Sequence, residues 1–542
     1  MWDGHRRAQL VQHRRTERGR TPTAGRDMST QVEVATDSGG VEAVRERLRR
    51  EGALARPLRH VFTLLTRQPH SLSELVRICR TPRRTVEELI RLAGEDVEHG
   101  PDGYRLRDSV HELYRQHVRL DVPEPARTDE EVERLLRDFV ATGPAPCAAL
   151  DHVTATPGTA LRRAAWLRDN YDLSRAHLLL LGDHDLTSLA SCLLVPELRV
   201  TVVDLDERIL AHIDGIAAEY RLPVHTVHAD LRFGLPPALV DGFELVFSDP
   251  PYTPEGIGLF TARAAEAMAD GNSRLLLAYG FSPRTPALGH KVQQELLRLG
   301  MVFESIVSGF NEYHGAEAIG GTSALYVCQP TGRAHKSTGE RQAIYTHGPQ
   351  SLESGGEPPG PEFLRAIGET LGTEVGELRS PGWQRPLRTA GAVPVFDLRA
   401  DPGPWLLRTL LACNADRAGF LVPNRHPDIT SEHAQNSLLR LVGAKYELRF
   451  QRGKPDANHA LVVADRNKHG GGVAGHLSHR AHGKIGNIWR EALIANSDTP
   501  LTKREAREHV EALVADSADL GLRLIDLPRH RLDALLHTEA GQ

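Results

Sequence analysis

The chain has 542 residues, 40% of them apolar and 25% charged, with a net charge of −5. That length exceeds one ordinary core and predicts two to four folding units, while the near-neutral balance removes any whole-chain argument for nucleic-acid binding. Five widely spaced cysteines without a CxxC pair (Cys79, Cys147, Cys192, Cys328, Cys413) argue against a disulfide framework or a cysteine zinc site. No apolar run reaches the roughly 18 residues that span a bilayer, so a cytoplasmic protein without a membrane partner is expected.

Residues 1–40 are arginine-rich and then low in complexity, so either translation begins at Met28 or they form a disordered arm. Beyond Val41, the amphipathic runs Ser71–Cys79 and Arg83–Ala93 flank Thr81-Pro82, and alternation from Asp96 to Leu106 turns at Gly100-Pro101-Asp102-Gly103. This pattern predicts a winged-helix domain over residues 41–125. Its Arg80, Arg83, Arg84 and Arg91 suit either phosphate contacts or a solvated helix face, and a dimerisation or lid role is expected ahead of DNA binding.

A helical pattern from Asp129 to Val140 leads through Leu150-Asp151-His152 to a helix start at Thr156-Pro157. Four apolar strands follow, each ending in a carboxylate. Leu178–Leu181 runs into Gly182-Asp183-His184-Asp185, and Arg199–Val203 into Asp204-Leu205-Asp206. Val224–His228 is followed by Asp230, and Leu245–Ser248 by Asp249-Pro250-Pro251-Tyr252-Thr253. Strands alternating with helices predict an open parallel sheet over residues 126–330, with its ligands beyond the carboxyl ends of the strands.

Residues 331–361 are rich in Gly, Pro, Ser and charge and read as a linker. Residues 362–542 form an additional C-terminal α/β domain, in which Leu438-Leu439-Arg440-Leu441 stands where Leu296-Leu297-Arg298-Leu299 stands before the linker. A degenerate half-repeat is expected there, without the acidic strand ends. His469, His476, His479 and His482 match no metal geometry and read as a mobile basic loop.

Carboxylates at the second and third strand ends describe a nucleoside pocket. Asp204, with Asp206, is placed to accept ribose hydroxyls and Asp230 to accept adenine amino hydrogens. The first turn offers one glycine and two aspartates, which would repel a pyrophosphate. Asp183, Asp185 and Asp249 converge where a cationic nucleophile and a sulfonium would be attracted, giving an anionic site throughout. In Asp-Pro-Pro-Tyr, Asp249 and the Pro250 carbonyl accept N–H bonds and aim a nitrogen lone pair, while Tyr252 packs the substrate. An aliphatic amine has a pKa of about 10 and must lose a proton before it attacks, so Asp249 or Asp183 is the expected base.

The motifs Gly182-Asp183-His184-Asp185-Leu186-Thr187-Ser188, Asp204-Leu205-Asp206-Glu207-Arg208, Asp249-Pro250-Pro251-Tyr252-Thr253 and Phe310-Asn311-Glu312-Tyr313 resemble those of the branched-chain polyamine synthases, also called bis(aminopropyl)spermidine synthases. The resemblance covers residues 45 to 328. It implies a winged helix followed by a Rossmann-like sheet of the class I methyltransferase type. It also implies decarboxylated S-adenosylmethionine as aminopropyl donor, a spermidine-like polyamine as acceptor and methylthioadenosine as by-product. Asp151, Glu312 and Tyr313 are the candidates for holding the acceptor, and a homodimer is expected. In that family the first motif is Gly-Asp-Asp-Asp, so His184 replaces its middle aspartate; it can keep a proton-acceptor role or weaken polycation binding. The segment after Cys328 has no counterpart. The alternatives are an S-adenosylmethionine-dependent N-methyltransferase and, in another class, a winged-helix regulator that senses a ligand; no metal is expected.

Overall fold

A computed structural model describes residues 40–120, 126–332, 334, 344–345, 359–387 and 393–538. The arm expected over residues 1–40 (Gly40 apart) and most of the 331–361 linker lie outside the described residues. The helices Val41–Glu51, Ala55–Leu65, Leu72–Cys79 and Arg83–Ala93 precede a hairpin of β1 (Val97–Gly100) and β2 (Gly103–Leu106). A capping box between Ser71 and Glu74 starts the third helix. His70 and Tyr104 exchange backbone hydrogen bonds at 2.9 Å, so the hairpin gains a third partner. Gly103 makes this approach possible: its φ is +117° and a Cβ there would lie 2.4 Å from the His70 carbonyl oxygen. Val61, Phe62, Leu75, Leu89, Leu106 and Tyr114 fill the core beneath.

The main sheet comprises β3 (His177–Leu181), β4 (Arg199–Asp204), β5 (Val224–His228), β6 (Leu245–Ser248), β7 (Arg274–Tyr279), β8 (Met301–Glu312) and β9 (Thr322–Pro330). Their order is β5-β4-β3-β6-β7-β9-β8, parallel through β7, with β9 antiparallel to both neighbours. Helices cover both faces, which is why Leu178–Leu181 is an unbroken, fully buried apolar run. The chain leaves β3 for β4 and β5 on one side and returns to β6 on the other, and at such a reversal the crevice beyond the strand ends stays open for a ligand. This is the mixed α/β, parallel-sheet architecture that the strand pattern predicts.

A second sheet holds β10 (Val395–Asp397), β11 (Arg417–Pro423), β12 (Tyr446–Arg452) and β13 (His459–Arg466) in the order β10-β11-β13-β12. β10 is parallel to β11, and β13 is antiparallel to both its neighbours. Order, polarity and connecting helices reproduce β6-β7-β9-β8. Trp405–Ala412 and Glu432–Val442 take the places of Pro254–Ala267 and Pro286–Arg298. The two Leu-Leu-Arg-Leu runs bury their outer leucines, Leu296 and Leu299 in one and Leu438 and Leu441 in the other, as i, i+3 spacing on a helix face requires.

One hydrophobic core runs from Leu179, Val227 and Val246 of the first sheet to Trp383, Trp405, Phe420 and Val462 around the second. Polar groups seal the same junction. The fully buried Arg408 pairs with Glu207 and donates to the Ile525 carbonyl at 2.9 Å. Arg531 bonds the Thr226 carbonyl on the edge strand β5, and His225 lies 3.0 Å from Asp519. An open sheet edge is thereby covered. The mobile loop expected around His476 is corrected: Gly472–His479 is a helix, because Val473 and Leu477 at i, i+4 are buried in the core. His482 Nε2 donates to the Trp383 carbonyl at 3.0 Å. Among the described residues, no helix is long and apolar enough to cross a membrane.

Removing Arg408 leaves the Glu207 carboxylate without its buried partner. Arg408→Ala is therefore expected to lower unfolding free energy by about 3–5 kcal/mol in urea titrations. Arg83→Ala, which breaks the exposed Arg83–Glu87 pair, should cost no more than about 0.5 kcal/mol.

Candidate active site

Gly182 ends β3 with φ +78°, a conformation open to glycine at no steric cost. The turn after it is fixed by its own carboxylate: Asp183 accepts from the amides of Thr187 at 2.8 Å and Ser188 at 3.0 Å. It thus caps the helix Thr187–Leu194, and the grip holds Leu186 at φ +59°. Burial pushes the Asp183 carboxyl up to about 8, against the amide bonds that favour its anion. His184 stacks on His152 with ring centroids 4.6 Å apart, and burial lowers the pKa of both imidazoles, keeping them neutral.

A cavity of about 300 Å³ opens over these strand ends. It is lined by six carboxylates, Asp151, Asp183, Asp185, Asp204, Asp230 and Asp249, and also by the guanidinium of Arg163. The anionic-throughout expectation is corrected by that one residue. Arg163 projects from the helix Pro157–Asn170 and is fully buried. Its Nε donates to Asn311 Oδ1 at 2.8 Å. Its Nη1 reaches Asp185 at 2.9 Å and Thr187 at 3.4 Å. Its Nη2 reaches Asp249 at 2.6 Å and Tyr313 at 3.4 Å. All five N–H donors of the side chain are committed inside the protein.

Asp249 also accepts from Tyr252 at 2.9 Å and Tyr313 at 2.8 Å; the two hydroxyls lie 2.8 Å apart, and Ser323 is 2.9 Å from Tyr313. These four oxygen–oxygen contacts share the three hydroxyl hydrogens of Tyr252, Tyr313 and Ser323. Asp249 is thus held by two tyrosine hydroxyls as well as by Arg163. Burial, only partly offset by Arg163, raises the carboxyl above the usual carboxylate range.

Asp204 accepts one amide on each oxygen, from Asp206 at 2.8 Å and Asp183 at 3.1 Å. One acceptor position per oxygen remains facing the cavity, the pattern a vicinal diol requires. Burial pushes its carboxyl up to about 6. Leu205, Leu231, Ile344 and Tyr345 supply apolar walls. Gly182, Pro250, Tyr252 and Tyr313 also line the cavity.

Three expected residues are placed otherwise. Asp206 caps its own helix and is engaged by Arg208 at 2.6 Å, outside the cavity lining. Glu312 is half exposed and pairs with Arg162 at 3.4 Å. Asp230 lines the cavity, but Arg232 makes three bonds to it at 2.5–3.0 Å and Trp405 Nε1 a fourth at 2.9 Å. Its roughly four acceptor positions are filled, leaving none for an adenine amino group.

Residues 131–340 match the family model described as the branched-chain polyamine synthase A C-terminal domain. Over these residues the chain is similar to the branched-chain polyamine synthases. An uncharacterised protein of Methanocaldococcus jannaschii is 32% identical over 218 residues, 40% of this chain and 54% of that protein. The N(4)-bis(aminopropyl)spermidine synthase of Thermococcus kodakarensis is 31% identical over 188 residues, 34% of this chain and 52% of that enzyme. The chain thus spans about half the length of the curated relatives it matches. A solved mutein of the Thermus thermophilus branched-chain polyamine synthase, in complex with N4-aminopropylspermidine and 5′-methylthioadenosine, is 24% identical. It covers 57% of this chain and 98% of that one, with a TM-score of 0.37.

Within the matched residues, Arg163 is the cavity-lining residue that motif reading misses. It was visible as an arginine in the apolar stripe Ala160, Ala164 and Leu167 of its helix, where an unpaired charge would be costly. Ile344 and Tyr345 come from the expected linker; both are buried, and Thr253 Oγ1 donates to the Ile344 carbonyl at 2.9 Å. No spacing rule announces that contact.

Arg163→Met would leave Asp185 and Asp249 buried without their shared cation, at an expected cost of about 3–5 kcal/mol at pH 7. The folded-state pKa of Asp249, already raised, rises further. A raised carboxyl penalises folding above that pKa, and the penalty fades as pH falls through it. Denaturation midpoints at pH 7 and pH 5 should therefore show the mutant's deficit shrinking in acid. A deficit that grows would mean the arginine is not neutralising these carboxylates.

Proposed function

We propose that the chain transfers an aminopropyl group from decarboxylated S-adenosylmethionine to an amine of a spermidine-like polyamine, forming a branched product and releasing methylthioadenosine. The observation that carries this reading is the division of labour among the carboxylates lining one cavity. Asp204 keeps two acceptor positions for a ribose diol, and Asp249 is oriented by Arg163, Tyr252 and Tyr313 at the neighbouring strand end. The match of residues 131–340 to the family and the printed names of three relatives, N(4)-bis(aminopropyl)spermidine synthases, support the same chemistry.

In this reading the new carbon–nitrogen bond forms as the carbon–sulfur bond breaks, and the nitrogen sheds one proton. Asp249 binds the ammonium form and takes that proton; Tyr252 and Tyr313 hold the carboxylate in place. Asp204 holds the ribose, with Leu205 and Leu231 against the base. Asp151 and Asp185 add negative potential that favours a polycation over a neutral amine. A winged-helix reading of the 41–125 segment, serving as a lid or dimerisation module, goes with this assignment, as do a homodimer and a cytoplasmic location.

The N-methyltransferase alternative needs a donor for the carboxylate of intact S-adenosylmethionine. Arg163, the cation lining the cavity, has no N–H left to give, so the decarboxylated donor is favoured. It should raise the melting temperature more than the intact cofactor at equal concentration. An equal or reversed ranking by scanning fluorimetry would move the assignment to methyl transfer.

Asp249→Asn keeps size and most hydrogen bonding but removes the charge and the base. Turnover should fall by about two to four powers of ten, while methylthioadenosine affinity measured by calorimetry stays within about twofold. Raising the pH toward the pKa of the amine should partly restore the rate, because more acceptor arrives neutral. Full activity of the variant at neutral pH would assign the proton transfer to another group.

A further inference from the structure

We infer that Trp405, which lies beyond the family match, is a positioning residue of the adenosyl pocket that acts through Asp230, so that the second sheet completes the site. The inference rests on the aminopropyl-transfer reading for the identity of the nucleoside, and on the geometry for the rest.

Beyond β10 the sequence Asp401-Pro402-Gly403-Pro404-Trp405 stands at the place that Asp249-Pro250-Pro251-Tyr252 takes beyond β6. The two acids have opposite fates. Asp249 faces the cavity, whereas Asp401 accepts from the amides of Gly403 at 2.7 Å, Trp405 at 3.0 Å and Leu406 at 2.7 Å, and pairs with His426 at 2.9 Å. The Asp401 and His426 side chains are both wholly buried. The second sheet thus keeps the connectivity of the first and has closed its own strand end.

That closed end rigidly presents Trp405 to the first sheet. The indole Nε1 donates to Asp230 Oδ2 at 2.9 Å, and its ring lies 5.1 Å from the Arg232 guanidinium. The Tyr345 ring, which lines the cavity, lies 5.2 Å from the same guanidinium. Asp230 and Tyr345 therefore form the cavity wall, with Arg232 and Trp405 behind them. Arg232 fixes one edge of the carboxylate from the same loop; Trp405 is its anchor from a distant part of the chain. Loss of the indole N–H leaves a buried carboxylate oxygen short of a donor and lets the wall beside the base relax. Groups behind a cavity wall tune affinity in this way because they set the position of the wall that the ligand packs against.

The test uses the full chain. Trp405→Phe keeps the ring and removes the donor. The Kd for 5′-methylthioadenosine and the KM for the donor should each rise about fivefold, within the range for coupling through a positioning residue, with a much smaller change in kcat. Combined with Asp230→Asn, it should add less than twofold to the Kd of that single mutant, because the two residues act as a unit. A lower melting temperature with unchanged Kd, or additive effects in the double mutant, would make Trp405 an interface residue only and overturn the inference. Should Trp405→Phe not fold, hydrogen exchange on the wild type decides: methylthioadenosine should slow exchange over residues 399–412, and no slowing overturns the proposal. Wild-type protein that binds no methylthioadenosine would bring down the adenosyl reading itself, a result distinct from the variant arms.

Discussion

A single guanidinium buried among carboxylates is the constraint on which the site depends. Asp185 and Asp249 leave neighbouring strand ends of one parallel sheet, and the sheet geometry alone would drive two like charges together in a place shielded from water. Arg163 resolves this by bridging them, with Asn311, Thr187 and Tyr313 taking its remaining donors. A buried ion pair of this kind adds little stability relative to apolar packing, yet losing one member is costly. Here it fixes the Asp249 carboxylate in one orientation beside two tyrosines.

The acidic strand ends differ in how much of each carboxylate the protein itself consumes. Asp183 is spent on the first turn of its helix, Asp206 on its own helix start and on Arg208, and Asp230 on Arg232 and Trp405. Asp204 and Asp249 line the cavity, and Asp204 keeps acceptor capacity that the protein does not use. The residues share a chemistry, and the backbone amides and cations around each decide which function it can serve.

The second sheet shares a core with the first and sends polar groups across the junction to Glu207, Thr226 and Asp230. Separating the two would expose Trp383 and Trp405 and leave charges uncompensated, so the first sheet is built against the C-terminal part of the chain. This arrangement gives residues far from the family motifs a route to the ligand pocket, through the loop after β5 and through Ile344 and Tyr345.

Local pattern determined much of this protein. Apolar runs of four to six residues ending in Gly or Asp gave the strands, because a sheet covered on both faces admits little else. The pair Thr156-Pro157 gave the start of its helix. The strand-end acids Asp183, Asp185, Asp204 and Asp249 were legible for the same reason, since a parallel sheet delivers its carboxyl ends to one crevice. What tertiary structure alone decided was the partner of each charge. Arg163 is 86 residues from Asp249, and Trp405 is 175 from Asp230; no period or spacing couples positions so far apart. Asp206 and Glu312 look like ligand groups in sequence and are spent on Arg208 and Arg162. Hydrogen-bond capacity is used up in three dimensions, so sequence could name the acids of the site, and only the fold could say which of them remain available.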